Sequence, residues 1–522
     1  MRIRVFLRLF ASLLKILAVL LLVPGAVAAF YGETDGVIAF AITSILTLAT
    51  GITLARLSCE EEAGLKEGFA LVALGWLGAA FFGSLPYTFL GTSLIDGLFE
   101  SMSAFTTTGS SILTETNAQG YWIVNSTLVN SSLAHDLRLA LWSLTVNTTP
   151  VQTIGSADGT FMGLLFWRSF AQWLGGMGII LLFVAILPRL GVAGRQLYRA
   201  EVPGPDKDAL TPRIKQTAQF LWVIYILMTA AEIVLLYLAG MPIFDSFCNT
   251  FASMATGGFS PQGLSIAAYR SWIIDAIITL FMFLAGANFA LHYKVISSDR
   301  KALFRDPEFR FYTLIVLATT LILVLWGGLE GDILRKIQLA GFQVVSVMTT
   351  TGFATADFDR WTAAAKFTLM LLMIIGACAG STGGAVKVVR MLLILKSGYR
   401  ELFHALHPKA VVTVKLGDVS VKEEILRRSN IFVAMYIVIF AAASLILAII
   451  SYDDPRMNIE TILSAVATTL GNIGPGFGMV GPTCSFAEVH PAGKMLLFLC
   501  MWIGRLEIVT VLVLLVPEFW KK

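Results

Sequence analysis

The chain has 522 residues, 57% of them hydrophobic and only 14% charged, and its apolar residues arrive in long blocks. That composition excludes an ordinary soluble domain and points to the lipid bilayer as a solvent. The net charge of +4 sits in short basic loops, where it reads as an orientation signal and calls for no nucleic acid.

In chain order, ten stretches are apolar enough to cross about 30 Å of hydrocarbon as helices: 8–30, 36–57, 67–90, 161–188, 214–240, 270–295, 311–328, 364–396, 429–451 and 492–517. The first opens with Arg2, Arg4 and Arg8, is too long for a signal-peptide core and has a poor cleavage site at Pro24-Gly25-Ala26, so it is expected to be retained. Basic residues follow the fourth span (Arg189, Arg195, Arg199, Lys207, Arg213, Lys215), the sixth (Lys294, Arg300, Lys301, Arg305, Arg310) and the eighth (Lys387 to Arg428). The alternate connections carry few, so the positive-inside rule places both termini in the cytoplasm. The cysteines Cys59, Cys248, Cys378, Cys484 and Cys500 show neither metal-ligand nor disulfide spacing.

Four outer connections each contain a stretch too short to cross the membrane, at 94–105, 242–254, 332–347 and 457–468, followed by a polar turn. The turns are Thr107-Thr108-Gly109-Ser110, Thr256-Gly257-Gly258-Phe259, Thr350-Thr351-Gly352-Phe353 and Asn472-Ile473-Gly474-Pro475, each with glycine third. This is an internal repeat of span, half-helix, turn and span. A dehydrated cation needs oxygen ligands in place of water, and carbonyls converging from four segments can supply them. Glycine permits the backbone angles that aim those carbonyls, and threonine adds a hydroxyl. A single Thr/Gly turn is more simply a surface loop; four in register are not.

Together with Arg168-Ser169-Phe170-Ala171-Gln172-Trp173-Leu174-Gly175-Gly176-Met177-Gly178, the stretch 350–358, Gly380-Ser381-Thr382-Gly383-Gly384 with Lys387 and Arg390, and Gly474-Pro475-Gly476-Phe477-Gly478, these turns carry a resemblance over nearly the whole chain. The sequence resembles the TrkH-like branch of the Trk/Ktr/HKT superfamily of cation transporters, and the two spans before residue 60 fit that branch. The fourth turn departs in having Asn472-Ile473, which bears on potassium selectivity. The segment 111–160 departs in being long and polar, with NST, NSS and NTT triplets, and is assigned no function.

The eighth span is interrupted by Gly376-Ala377-Cys378-Ala379-Gly380-Ser381-Thr382-Gly383-Gly384, which at that depth must line protein or water. The resemblance implies an intramembrane gate, close packing of small residues being the alternative; Lys387 and Arg390 follow at once and are expected to form a lever exposed to the cytoplasm. Arg505 lies well inside the tenth span, where a charge needs water or a partner. It is expected to face the cavity as part of the gate, the alternative being a salt bridge to Glu232. Arg168 and Glu507 are expected to snorkel to an interface.

An intramembrane enzyme lacks support, with no HExxH, no aspartate pair within spans and no Ser/His constellation. A transporter built on inverted repeats would need odd-span units, and a scaffold would have no use for the four turns. The expectation is an all-α integral membrane protein with two N-terminal helices plus four fused helix–pore loop–helix repeats around a central pore. The divisions are 1–60, 61–200, 201–305, 306–415 and 416–522. The resemblance further implies potassium ion as cargo with no organic cofactor, a homodimer in the cytoplasmic membrane, and a TrkA-like cytosolic nucleotide-binding subunit as regulator.

Overall fold

The computed structural model describes residues 1–59, 61, 63–123, 159–178, 214–297, 299–417 and 419–521. The Asn-containing triplets, the end of the fourth expected span and the basic residues from Arg189 to Arg213 lie outside the described residues.

Among the described residues the regular elements are helices apart from one two-residue ladder, Lys415–Leu416 with Val419–Ser420. Among the described residues, six helices are long and apolar enough to span: Ile3–Phe30, Thr34–Arg56, Lys66–Phe89, Gln219–Leu238, Pro307–Trp326 and Glu423–Ile450. The first two pack closely because small residues line the seam. A Cβ on Gly51 would lie 3.2 Å from Ala11 O, and Ser44 Oγ donates to Ala18 O at 2.7 Å. The helix Pro307–Trp326 starts sharply because proline occupies its first turn while Asp306 accepts from Phe309 N at 2.8 Å.

Four short helices, Leu94–Phe105, Ile243–Met254, Ile333–Met348 and Ile459–Gly471, occupy the positions expected of the half-helices. Ser93, Asp332 and Asn458 cap three of them by accepting from the amides of Asp96, Arg335 and Thr461. Asp245 sits in the first turn of the other, where a carboxylate suits the positive end of the helix dipole.

The helices that follow the short ones are not straight spans. Met162–Trp173 runs into a π-helix, Leu174–Gly178; Ala363–Ile374 and Val388–Leu406 are separated by non-helical residues 375–387. Trp272–Ala285 meets Phe289–Ser297 at 96°, and Pro491–Arg505 meets Val509–Leu515 at 107°. The sequence led us to expect only the eighth span to be interrupted, because hydropathy averages across a bend. At the breaks, glycine lets backbones touch: a Cβ on Gly175 would lie 2.0 Å from Phe105 O, and one on Gly504 1.9 Å from Leu470 O. The broken helices thus press on the ends of the short ones.

Candidate functional site

All four short helices end in the same way. Thr107, Thr256, Thr350 and Asn472 are left-handed, with φ of 51°, 54°, 60° and 56°. Two residues on, Gly109, Gly258, Gly352 and Gly474 have φ of 82°, 74°, 83° and 113°. Between them, the amides of Thr108, Gly257, Thr351 and Ile473 donate to carbonyls five residues back (Ser103, Ala252, Ser346, Thr468) at 2.7–2.8 Å. This is the long-range bond of a glycine-type helix cap, with threonine or asparagine where glycine usually stands. A left-handed L-residue costs about 1–2 kcal/mol, and three β-branched ones persist only because their surroundings hold them.

The turns meet head to tail. A Cβ on Gly109 would lie 2.2 Å from Gly257 O, one on Gly258 1.9 Å from Thr351 O, and one on Gly352 1.8 Å from Ile473 O. A Cβ on Gly474 would return to Thr108 O at 2.9 Å, so the contacts close a ring. Ser110 Oγ donates across the closing junction to Gly474 O at 3.1 Å. All the expected turn residues come together here; only Gly109, Gly258 and Pro475 are partly exposed. A cavity mouth lined by Ser110, Phe259, Ser260, Ala354 and Pro475 opens on the side of the residues that follow the glycines.

The fourth turn departs in side chain alone. Asparagine tolerates the left-handed region better than threonine. The Nδ2 of Asn472 donates to Thr108 Oγ1 at 2.9 Å and to Met501 O at 3.0 Å, tying the fourth turn to the first.

The loop 375–387 packs against the residues that precede the glycines, opposite the mouth. Gly384 N donates to Thr350 Oγ1 at 2.7 Å, and a Cβ on Gly384 would lie 2.4 Å from Gly471 O. Thr382 Oγ1 lies 3.1 Å from Met254 O, Cys378 N 3.0 Å from Gly286 O, and Gly380 O accepts from Phe289 N at 3.0 Å. Gly376, Ala377, Cys378, Ala379, Gly383 and Gly384 are buried, while Gly380 and Ser381 are partly exposed. Arg505 donates to Thr382 O at 2.8 Å and to Gly175 O at 3.2 Å, linking the loop to the π-helix. Glu232, the alternative partner for Arg505, instead accepts from Ser253 Oγ at 2.5 Å.

Several charges differ from expectation. Lys387 is no exposed lever: it is buried and donates to Gly383 O, while Arg390 pairs with Glu507 and lies 3.7 Å over the Phe432 ring. Arg168 does not snorkel. It is 1% exposed, with Nε 2.8 Å from Glu100 Oε1 and its guanidinium 4.1 Å from the Phe259 ring centroid. Sequence reasoning also missed Glu308, whose Oε1 accepts from Ala379 N at 2.7 Å and Val389 N at 3.1 Å, tying the loop interior to the first turn of the helix Val388–Leu406. A carboxylate in the first turn of a helix already suits the helix dipole, so the sequence carries no separate signal of this clasp.

The description "TrkH: Cation transport protein" belongs to the family model that matches residues 35–522. The Trk system potassium uptake protein TrkH of Salmonella typhimurium is 38% identical over 536 residues, with 100% of each chain covered, and that of Halomonas elongata is 35% identical over 532 residues with the same coverage. The crystal structure of the potassium transporter TrkH from Vibrio parahaemolyticus superposes with a TM-score of 0.82 at 33% identity, covering 100% of both chains. The matched proteins are transporters, not enzymes. Its helical architecture, its apolar spans and these full-length matches make the chain a membrane protein of the TrkH family of cation transport proteins.

Proposed function

We propose that this chain takes up potassium across the cytoplasmic membrane through the ring of four turns, with the loop 375–387 and Arg505 as its gate. The observation that carries the reading is the head-to-tail closure of the ring, in which each glycine stands against a carbonyl of the next turn. Four backbone segments at one level offer the oxygens that replace a cation's hydration shell. The short helices point their C-terminal, negative dipole ends at this level, which favours a cation. The full-length likeness to proteins named for potassium uptake supports potassium as the cargo.

The loop closes the path from the side opposite the mouth. Gly376 and Gly384 pack on backbone, and Gly380 and Gly383 on the short side chains of Asn288 and Ala377, so movement would break hydrogen bonds without having to extract large side chains. Arg505 contributes a positive charge just below the ring, which lowers cation occupancy there while the loop is in place. Both termini lie in the cytoplasm in this reading. The chain works as a homodimer under a TrkA-like cytosolic subunit that binds nucleotides, as its family resemblance implies; the relatives' naming as parts of a Trk system supports a partner subunit.

The test is rubidium uptake by the purified chain in liposomes, with sodium competition, comparing native protein with Gly352→Ser and Arg505→Ala. Uptake that the glycine change abolishes or makes indiscriminate supports the ring. Flux indifferent to both changes, or absent from the native chain even with the cytosolic subunit supplied, refutes it.

A further inference from the structure

Three of the turns carry their own braces. In the first, Thr106 Oγ1 lies 2.8 Å from Thr108 Oγ1, and in the third Thr349 Oγ1 lies 2.8 Å from Thr351 Oγ1. The fourth is tied by Asn472. At the corresponding places the second turn has Ala255 and Gly257, with no hydroxyl on either.

Conformation does not require glycine at 257, which is absent from the residues with positive φ. Space does. A Cβ there would lie 2.5 Å from Gln172 Cδ, 2.7 Å from Oε1 and 2.8 Å from Nε2. The fully buried Gln172 carboxamide occupies the room a side chain would fill. Its Nε2 donates to Gly257 O at 2.7 Å and its Oε1 accepts from Phe259 N at 3.1 Å, so it grips the chain on both sides of Gly258. Gly257 O is the oxygen that faces Gly109 in the ring, and a carbonyl has a second lone pair left for an ion. One helical turn earlier, Arg168 reaches Ser260 O at 3.4 Å.

We propose that Gln172 is a positioning residue that sets ion discrimination at the second turn, doing from a neighbouring helix what the threonine pairs do inside the first and third turns. This rests on the potassium pathway proposed above. The orientation of one ring carbonyl then depends on the helix Met162–Trp173, so the four turns are alike in backbone and unlike in support.

The test uses rubidium uptake with sodium competition in liposomes, on native chain, Gln172→Met, Gln172→Ala, Gly257→Thr and the Gln172→Ala/Gly257→Thr double variant. Methionine fills the space without the two hydrogen bonds. Gln172→Met should keep uptake while discrimination against sodium falls about three- to tenfold, the scale of one buried hydrogen bond. Gly257→Thr alone should lose uptake by collision with Gln172, and the double variant should recover it. Native discrimination in both Gln172 variants, or a double variant no better than Gly257→Thr alone, overturns the proposal. A native chain without rubidium flux even when the cytosolic subunit is supplied would overturn the potassium reading and this role with it; native flux with unaltered discrimination in the variants overturns this role alone.

Discussion

Replacing Gly352 by alanine tests the ring most directly. A Cβ at this position would sit 1.8 Å from Ile473 O and 3.0 Å from both Ile473 C and Pro475 Cδ. Carbon and oxygen approach to about 3.3 Å, so the third and fourth turns must part by roughly 1.5 Å. The obstructing oxygen and carbon are backbone, and no rotamer change can relieve them. Alanine must also keep φ near 83°, which for an L-residue costs about 1–2 kcal/mol, and overpacking adds about 1–3 kcal/mol. We expect rubidium uptake into liposomes to fall at least about tenfold, equivalent to about 1.4 kcal/mol on the barrier. Gly341→Ala is the control in the same short helix: its Cβ would meet only Thr320 Cγ2 at 3.9 Å, so uptake should be unchanged. A monodisperse Gly352→Ala protein with native uptake and native sodium discrimination would refute the ring.

Arg505→Ala removes the donor to Thr382 O and Gly175 O, and should raise rubidium flux through the chain reconstituted alone; equal or slower flux counts against the gate. Glu308→Ala leaves the amides of Ala379 and Val389 without their carboxylate, at about 1–3 kcal/mol for each unsatisfied donor. The loop should loosen, and a maleimide should label Cys378, 1% exposed in the native fold, faster than before; an unchanged labelling rate argues that Glu308 does not hold the loop. Glu100→Gln leaves the Arg168 guanidinium buried without its counter-charge, a loss of about 3–5 kcal/mol that should lower the melting temperature in detergent. An unshifted melting temperature would mean that the pair contributes little.

The turns were legible because their geometry is local. A polar left-handed residue, one linker and a glycine complete a helix cap within about seven residues, and that pattern survives in the sequence four times. Even the Asn472 departure follows from the same rule, since the left-handed position selects for conformation more than for a hydroxyl. The broken helices were harder. Apart from the glycine-rich stretch of the eighth span, an isolated Gly286 or Gly504 inside an apolar run looks like ordinary helix until the backbone it must approach is known.

The sequence by itself determined the apolar spans, the four half-helices and the residues at their turns, because each depends on neighbours a few positions away. Only the tertiary structure decided which carbonyl faces which glycine, that Gln172 takes the place of a side chain at Gly257, that Glu308 clasps the loop, and that Arg168 is buried against Glu100. Those contacts join residues 68 or more positions apart. Their partners are chosen by how helices pack, which local pattern does not encode.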